Sequence, residues 1–298
     1  MMILQPLIDG LAIGSLYALI ALSMVIIYKT SEVPNFAQGE MAMLSTFFAY
    51  YLMENAGFAF PYAFLGALVF AAVVGIVFEF VFLRREKEVG ILGFILITLG
   101  FERILYGIAG WKWGSEQKLF PSSFAPLPVS GSTMIHLGGV SISQIKLIIV
   151  IVAVSLIGLI FLFFKYTRVG IAMKATQQNA TAARINGIRT KRIMSLTWAM
   201  SAVVGAIAGM LLVPGTNTSL DANIMLAPLL KGFAAAVLGG MNTLVGSIGG
   251  GIILGVIEKF FGFYISSEFE TVVAFLIIVI ILWFRPGGLF GRHYVRKV

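Results

Sequence analysis

The chain contains no cysteine, which excludes disulfides, thiolate catalysis and cysteine-based metal sites. Histidine is nearly as scarce: His136 and His293 are the only two, and both lie outside the apolar runs. No HExxH, Walker A or GxGxxG pattern occurs, so the sequence offers no zinc-hydrolase, P-loop or dinucleotide signature. Charge is also thin. Only 11% of the 298 residues are charged, against about 25% in an ordinary soluble domain. No grouping resembles paired acids, a Ser-His-Asp set or a metal cluster. Chemistry on a substrate is therefore not expected, and neither is a cofactor bound by this chain.

What the chain does have is hydrocarbon. It is 59% hydrophobic, with a mean hydropathy of +0.98, which places it among multi-spanning membrane proteins. Lys and Arg exceed Asp and Glu by 21 to 13. That excess is not a nucleic-acid signature, because it falls on one side of the expected membrane. Lys29, Arg84, Arg85, Lys87, seven residues within 165–192, and Arg285, Arg292, Arg296 and Lys297 all lie in segments assigned to the cytoplasmic face. The first residues, MMILQPLIDG, lack the basic region of a cleavable signal peptide, so the first apolar run is expected to remain as a span.

Nine apolar runs follow one another, at about 7–28, 36–53, 61–83, 91–109, 142–164, 193–213, 223–239, 246–263 and 269–284. They predict an all-α polytopic membrane helix bundle of about eight to nine spans, with the N-terminus outside and the C-terminus inside. The second run is short and follows Pro34, Gln38, Gly39 and Glu40, so it reads either as a tilted span or as a helix that starts inside the membrane after a broken segment. Residues 110–139, with Trp111, Trp113, Pro121, Pro126 and Pro128, read as the largest external loop. Gly14 with Ala18, and Gly205 with Gly209, are spaced for close helix packing. Gly239, Gly240, Gly246, Gly249, Gly250, Gly251 and Gly255 crowd into seventeen positions. They fit either packing alone or a broken helix lining the translocation path.

Seven charged residues sit in or beside these runs: Glu40, Glu79, Glu102, Arg103, Lys231, Glu258 and Lys259. Each must face the bundle interior, find a partner or reach the interface. Glu258 and Lys259 are assigned to the interface. Glu102 and Arg103, adjacent in sequence, are expected not to face one another. Glu40 and Lys231, each beside a helix-breaking residue, are the candidates for a functional role, with a structural ion pair between spans as the alternative.

The stretch around which the rest is organised is 165–192, KYTRVGIAMKATQQNATAARINGIRTKR. It carries Lys165, Arg168, Lys174, Arg184, Arg189, Lys191 and Arg192 and no acidic residue. Its composition from Val169 to Arg184 is helical, and Gly187 is placed to end that helix with positive φ. Two readings remain open from composition: a loop carrying only orientation charge, or a docking surface. In the second, the small residues Ala180, Thr181, Ala182 and Ala183 admit a partner's groove.

Several of these residues together resemble the permease subunits of ATP-binding-cassette importers for branched-chain amino acids, of the LivH type. The resemblance rests on Asn35-Phe36-Ala37-Gln38-Gly39-Glu40, on Thr167-Arg168-Val169-Gly170-Ile171-Ala172 with Asn179 and Ala182-Ala183-Arg184-Ile185-Asn186-Gly187-Ile188, and on Leu238-Gly239-Gly240-Met241. Arg285-Pro286-Gly287-Gly288-Leu289-Phe290-Gly291 completes it, and together these cover nearly the whole chain.

The resemblance implies a single transmembrane permease domain over 1–298, in the cell membrane (the inner membrane of a Gram-negative cell). A cytoplasmic segment within 165–192 would couple it to an ATPase through Arg168, Lys174, Asn179, Ala182, Ala183, Arg184 and Gly187. The acidic residue usual before the two alanines is Thr181 here. The implied partners are a second permease of LivM type, two ATPase subunits that use ATP and Mg, and an external substrate-binding protein. Asn35, Gln38, Gly39, Glu40, Lys231, Gly239 and Gly240 are the candidates for the translocation path. The alternatives are the same architecture carrying urea, short amides or a broader set of amino acids, or a self-contained secondary transporter.

Overall fold

The computed structural model describes residues 3–84, 90–114, 116–119, 134–137, 140–216, 219–266, 268–285 and 287–291. The expectations for Arg85, Lys87, Pro121, Pro126, Pro128, Pro286 and the basic tail from Arg292 lie outside the described residues.

The chain is an all-α polytopic bundle. Six helices are long and apolar enough to cross a membrane: α1 (Leu4–Ser31), α3 (Phe60–Phe78, prolonged by a π-helical turn over Glu79–Leu83), α4 (Ile91–Trp113), α5 (Gln144–Tyr166), α8 (Thr190–Thr216) and α10 (Leu244–Tyr264). The expected eight to nine full crossings reduce to these six among the described residues. The remaining apolar runs do form helices, but short ones: α2 (Gln38–Glu54), α9 (Leu226–Gly239) and α11 (Glu270–Phe284). Even α2, at 17 residues, covers roughly 25 Å at 1.5 Å per residue, less than a hydrocarbon core of about 30 Å. Two short polar helices, α6 (Arg168–Gln178) and α7 (Ala180–Ile185), complete the helical set. Where a long loop was expected, α4 runs on through Trp111 and Trp113, and β1 (Met134–Leu137) pairs antiparallel with β2 (Val140–Ser143).

Helix α1 is the axis. It packs against α10, α8, α9 and α5, and Ala18 through Ile27 are buried without interruption. The closest seam joins it to α10 and is made by glycine. A Cβ on Gly10 would lie 2.7 Å from the Cα of Val256, and one on Gly14 would lie 3.0 Å from the Gly251 oxygen. Gly251 and Gly255 in turn face Ala18 and Gly14. Residues 10, 14 and 18 thus meet 256, 251–255 and 251 in reverse order, so the two helices run antiparallel. Such backbone approach maximises dispersion where lipid supplies no hydrophobic drive between helices. The glycines of α10 therefore do packing work within an unbroken helix. The break instead falls just before it, at Gly240, whose φ is +98°. A second seam, between α8 and α2, sets Gly205 against Gln38 and Gly209 against Ala42 and Thr46.

The outer faces are apolar and exposed: Leu65, Val69 and Val73 on α3, Leu92 and Leu96 on α4, Ile151 and Val154 on α5, Val279 and Trp283 on α11. With the six long helices they make this a multi-pass membrane protein.

Candidate coupling surface and translocation path

The stretch 165–192 is not one helix. Thr167 caps α6, its hydroxyl accepting from the Gly170 amide at 2.9 Å. Gly170 lies against the backbone of Phe163 and Phe164, which folds α6 tightly under the end of α5. The chain then breaks at Asn179, which is extended at φ −159°, ψ 102°, and whose side chain accepts from the Ala182 amide at 2.9 Å to start α7. The helix expected from Val169 to Arg184 is therefore two helices. An asparagine before an alanine run is a strong N-cap, and N-cap geometry is incompatible with continuing the preceding helix.

Gly187 ends α7 as expected, at φ +82°. Its amide bonds the Arg184 carbonyl and the Ile188 amide bonds that of Ala183, both at 3.0 Å, the paired bonds of a Schellman motif. Ala183 turns inward and is buried, whereas Arg168, Lys174, Asn179, Ala182, Arg184 and Gly187 are exposed. Ile185 at the tip is 81% exposed. The surface is thus rigid, basic and apolar at its centre.

One network carries this surface into the bundle. Lys191 and Ser195 open α8, and the Ser195 hydroxyl donates to Glu79 in the π-helical turn of α3 at 2.5 Å. Arg84 donates to the same hydroxyl at 3.0 Å and to the Lys191 carbonyl at 3.3 Å. The end of the connector is therefore tied by hydrogen bonds to α3 as well as continuing into α8. Sequence reasoning placed Glu79 near a span end but had no means to pair it with residues more than a hundred positions away.

The path candidates separate into three places. Asn35 and Gln38 are fully buried and form a closed polar cluster. Asn35 Nδ2 donates to Gln38 Oε1 at 3.1 Å, Gln38 Nε2 to the Ser201 carbonyl at 3.1 Å, and Ser201 Oγ to the Ser23 carbonyl at 2.7 Å. Ser23 lies eight residues inside the end of α1, so α2 starts within the bundle rather than at its surface. Gly39 accommodates Leu229 of α9 at a would-be Cβ distance of 3.0 Å. Glu40, also buried, interacts with Glu102 and Arg103 of α4.

Lys231 stands elsewhere. Pro228 sits in the first turn of α9 and does not break it, and the Lys231 ammonium meets Glu258 of α10 at 2.5 Å. The Tyr17 hydroxyl donates to the same Glu258 oxygen at 3.2 Å. Glu258 is only 2% exposed, so its assignment to the interface is corrected: α10 turns it toward α1 and α9. Lys259, one residue on, pairs with Glu270 at 2.5 Å. The expectation for Glu102 and Arg103 is also corrected. Their side chains pair at 2.8 Å because Arg103, largely exposed, folds its long stem back onto the recessed carboxylate.

Gly239 and Gly240 form the third place. Gly239 packs against Gly246, and the segment after α11 returns to them: the Leu289 amide bonds the Leu238 carbonyl at 2.8 Å and the Phe290 amide that of Gly239 at 3.2 Å. Among the described residues no group of three or more His, Asp or Glu is placed to hold a metal.

A multi-pass bundle with helices that begin inside it and a rigid basic connector at one end has the architecture of a membrane permease. Over residues 7–282 the chain matches the family described as branched-chain amino acid transport system, permease component, and it belongs to that family. It is a permease subunit of the LivH and BraD type and not an enzyme. It is 30% identical to the high-affinity branched-chain amino acid transport system permease protein LivH of Salmonella typhimurium, over 99% of this chain and 97% of that one. Identity is 29% to BraD of Pseudomonas aeruginosa, over 99% and 98%. It is 30% to the probable LivH of Methanocaldococcus jannaschii, over 96% and 92%.

Proposed function

We propose that the chain, as one permease domain over 1–298, carries branched-chain amino acids such as leucine inward; the names of its relatives describe branched-chain amino acid transport. ATP would be hydrolysed on two cytoplasmic ATPase subunits. A second permease of LivM type would complete the path, and an external binding protein would deliver the substrate. The basic end, with Lys29, Arg84 and the 165–192 connector, faces the cytoplasm. Of the nine apolar helices, six span fully, while α2, α9 and α11 complete a count of eight to nine by beginning or ending inside the bundle.

The observation that carries this reading is the connector itself. Arg168, Lys174, Asn179, Ala182, Arg184 and Gly187 form an exposed surface around Ile185, and Ala183 anchors it. An ATPase groove closing on nucleotide would push α6 and α7, and α5, α8 and α3 would follow. The path lies where α2 and α9 begin or end inside the bundle, near Asn35, Gln38, Gly39, Glu40, Lys231, Gly239 and Gly240. Irregular backbone is tolerated at that depth only when covered or lining a cavity.

The test is Lys174→Glu combined with Arg184→Glu. Co-purification of the ATPase and uptake of leucine should both fall by tenfold or more, since each reversal turns an attraction into a repulsion, while membrane insertion is retained. Unchanged co-purification and uptake would remove the connector from the coupling role.

A further inference from the structure

At the basic end, beside the connector, a cavity of about 690 Å³ opens where the ends of α1 and α5, Lys174 of α6 and the start of α10 come together. Three lysines line it: Lys29 from α1, Lys165 from α5 and Lys174 from α6. No acidic side chain lines it, and Glu32 of the α1 C-cap is not part of the wall. Lys29 is half-buried there, close enough to Lys174 for the two charges to repel. Thr243, Leu244, Val245 and Gly246 form the opposite wall. They are the cap and first turn of α10, so the positive end of that helix dipole adds to the three ammonium groups. Concentrated positive charge without a counter-charge calls for an anion.

The mouth of the cavity shows which kind. Its rim is Phe161 and Leu162 of the membrane-spanning α5, with Val245 and Phe290 across from them, and all four are exposed. An acidic protein side chain arriving from the water would leave this rim uncovered. A phospholipid would not: its phosphate would sit among the lysines and its acyl chains would run along the exposed Leu159, Val154 and Ile151 of α5. Basic pockets between spans on the cytoplasmic side suit anionic headgroups in this manner.

We propose that this cavity is a binding site for the phosphate of an anionic phospholipid, seated behind the coupling connector. An occupying lipid would tie Lys29 of α1 to Lys174 of α6 and so stiffen the joint through which the connector pushes. The site depends on the membrane placement of the chain and not on what it transports; it shares Lys174 with the proposed ATPase surface, so the variants below change only Lys29 and Lys165.

The experiment is native mass spectrometry of the purified full-length chain in neutral detergent, titrated separately with phosphatidylglycerol, phosphatidylcholine and soluble glycerol phosphate. One phosphatidylglycerol per chain should be retained, with phosphatidylcholine at least tenfold weaker. Lys29→Gln with Lys165→Gln should weaken phosphatidylglycerol roughly thirtyfold, at about one decade or less per lysine. Lys29→Arg with Lys165→Arg should restore binding, which separates lost charge from misfolding. Equal retention of the two lipids, unchanged retention in the glutamine variant, or full competition by soluble glycerol phosphate would each overturn the proposal.

Discussion

The interior polar groups and the basic connector make opposite use of the same kinds of side chain. Inside, most of the key groups have found a partner from another helix, although one oxygen each of Glu40 and Glu258 and the Trp198 indole nitrogen stay without a hydrogen bond. Gln38 has Ser201, Ser201 has Ser23, and Lys231 has Glu258 with Tyr17 beside it. On the connector, Arg168, Lys174 and Arg184 are exposed and lie in a segment without acidic residues. Hydrocarbon penalises any unsatisfied polar group by several kcal/mol, so most interior polarity is closed within the fold. Water imposes no such demand, so the connector can keep its charges open toward something outside the chain. Polarity is therefore turned inward in one region and left exposed in the other, where the proposed function makes it a contact surface.

The largest effect should come from Lys231→Met, which strands the Glu258 carboxylate and costs about 3 kcal/mol of stability, read as a fall in thermal midpoint and in membrane abundance. Adding Glu258→Leu should recover most of that loss, because a buried pair exchanged for apolar groups is often neutral. If the double variant regains stability and transport together, the pair is architecture. If transport stays lost in a stable protein, Lys231 belongs with the contact groups, and the comparison fails at that point. Next, Gln38→Ala removes the bonds that join the start of α2 to α8 and should cost about 1–2 kcal/mol, seen as lower abundance with uptake per molecule preserved.

Smaller still, Asn179→Ala deletes the cap of α7 at about 1 kcal/mol. Here the sign of the comparison reverses: abundance should hold while ATPase co-purification declines. Glu40→Gln should change stability least, since it keeps the size of the side chain, yet lower uptake more than abundance. Equal falls in both would assign Glu40 to the architectural set.

Much of this was legible in the residues. Hydropathy located all nine apolar helices to within a few positions, and the spacings at 14–18 and 205–209 pointed to tight seams, while the glycines of 239–255 left packing and a broken helix both open. Gly187 declared its own positive φ. The Asn179 break was also visible in principle, as a capping residue before an alanine run, but helical composition on both sides masked it. Partners were not legible. Glu258 looked interfacial because it lies near a helix end, and only the antiparallel approach of α10 to α1 turns it inward. Glu102 and Arg103 were judged by backbone spacing, which ignores how far a guanidinium can fold back.

By itself the sequence determined that the chain is a membrane bundle, where its apolar helices lie and which connector is basic and free of acidic residues. These depend on local properties: transfer free energy summed along a run, charge counted between runs, and the φ that one glycine permits. Tertiary structure alone decided that six of the described helices rather than nine have full crossing length, that α2 starts beside Ser23 inside the bundle, and that Lys231 answers Glu258. Those outcomes turn on which distant residues share a depth in the membrane. Such pairing is fixed by the packing of whole helices and leaves no trace in the order of residues along either one.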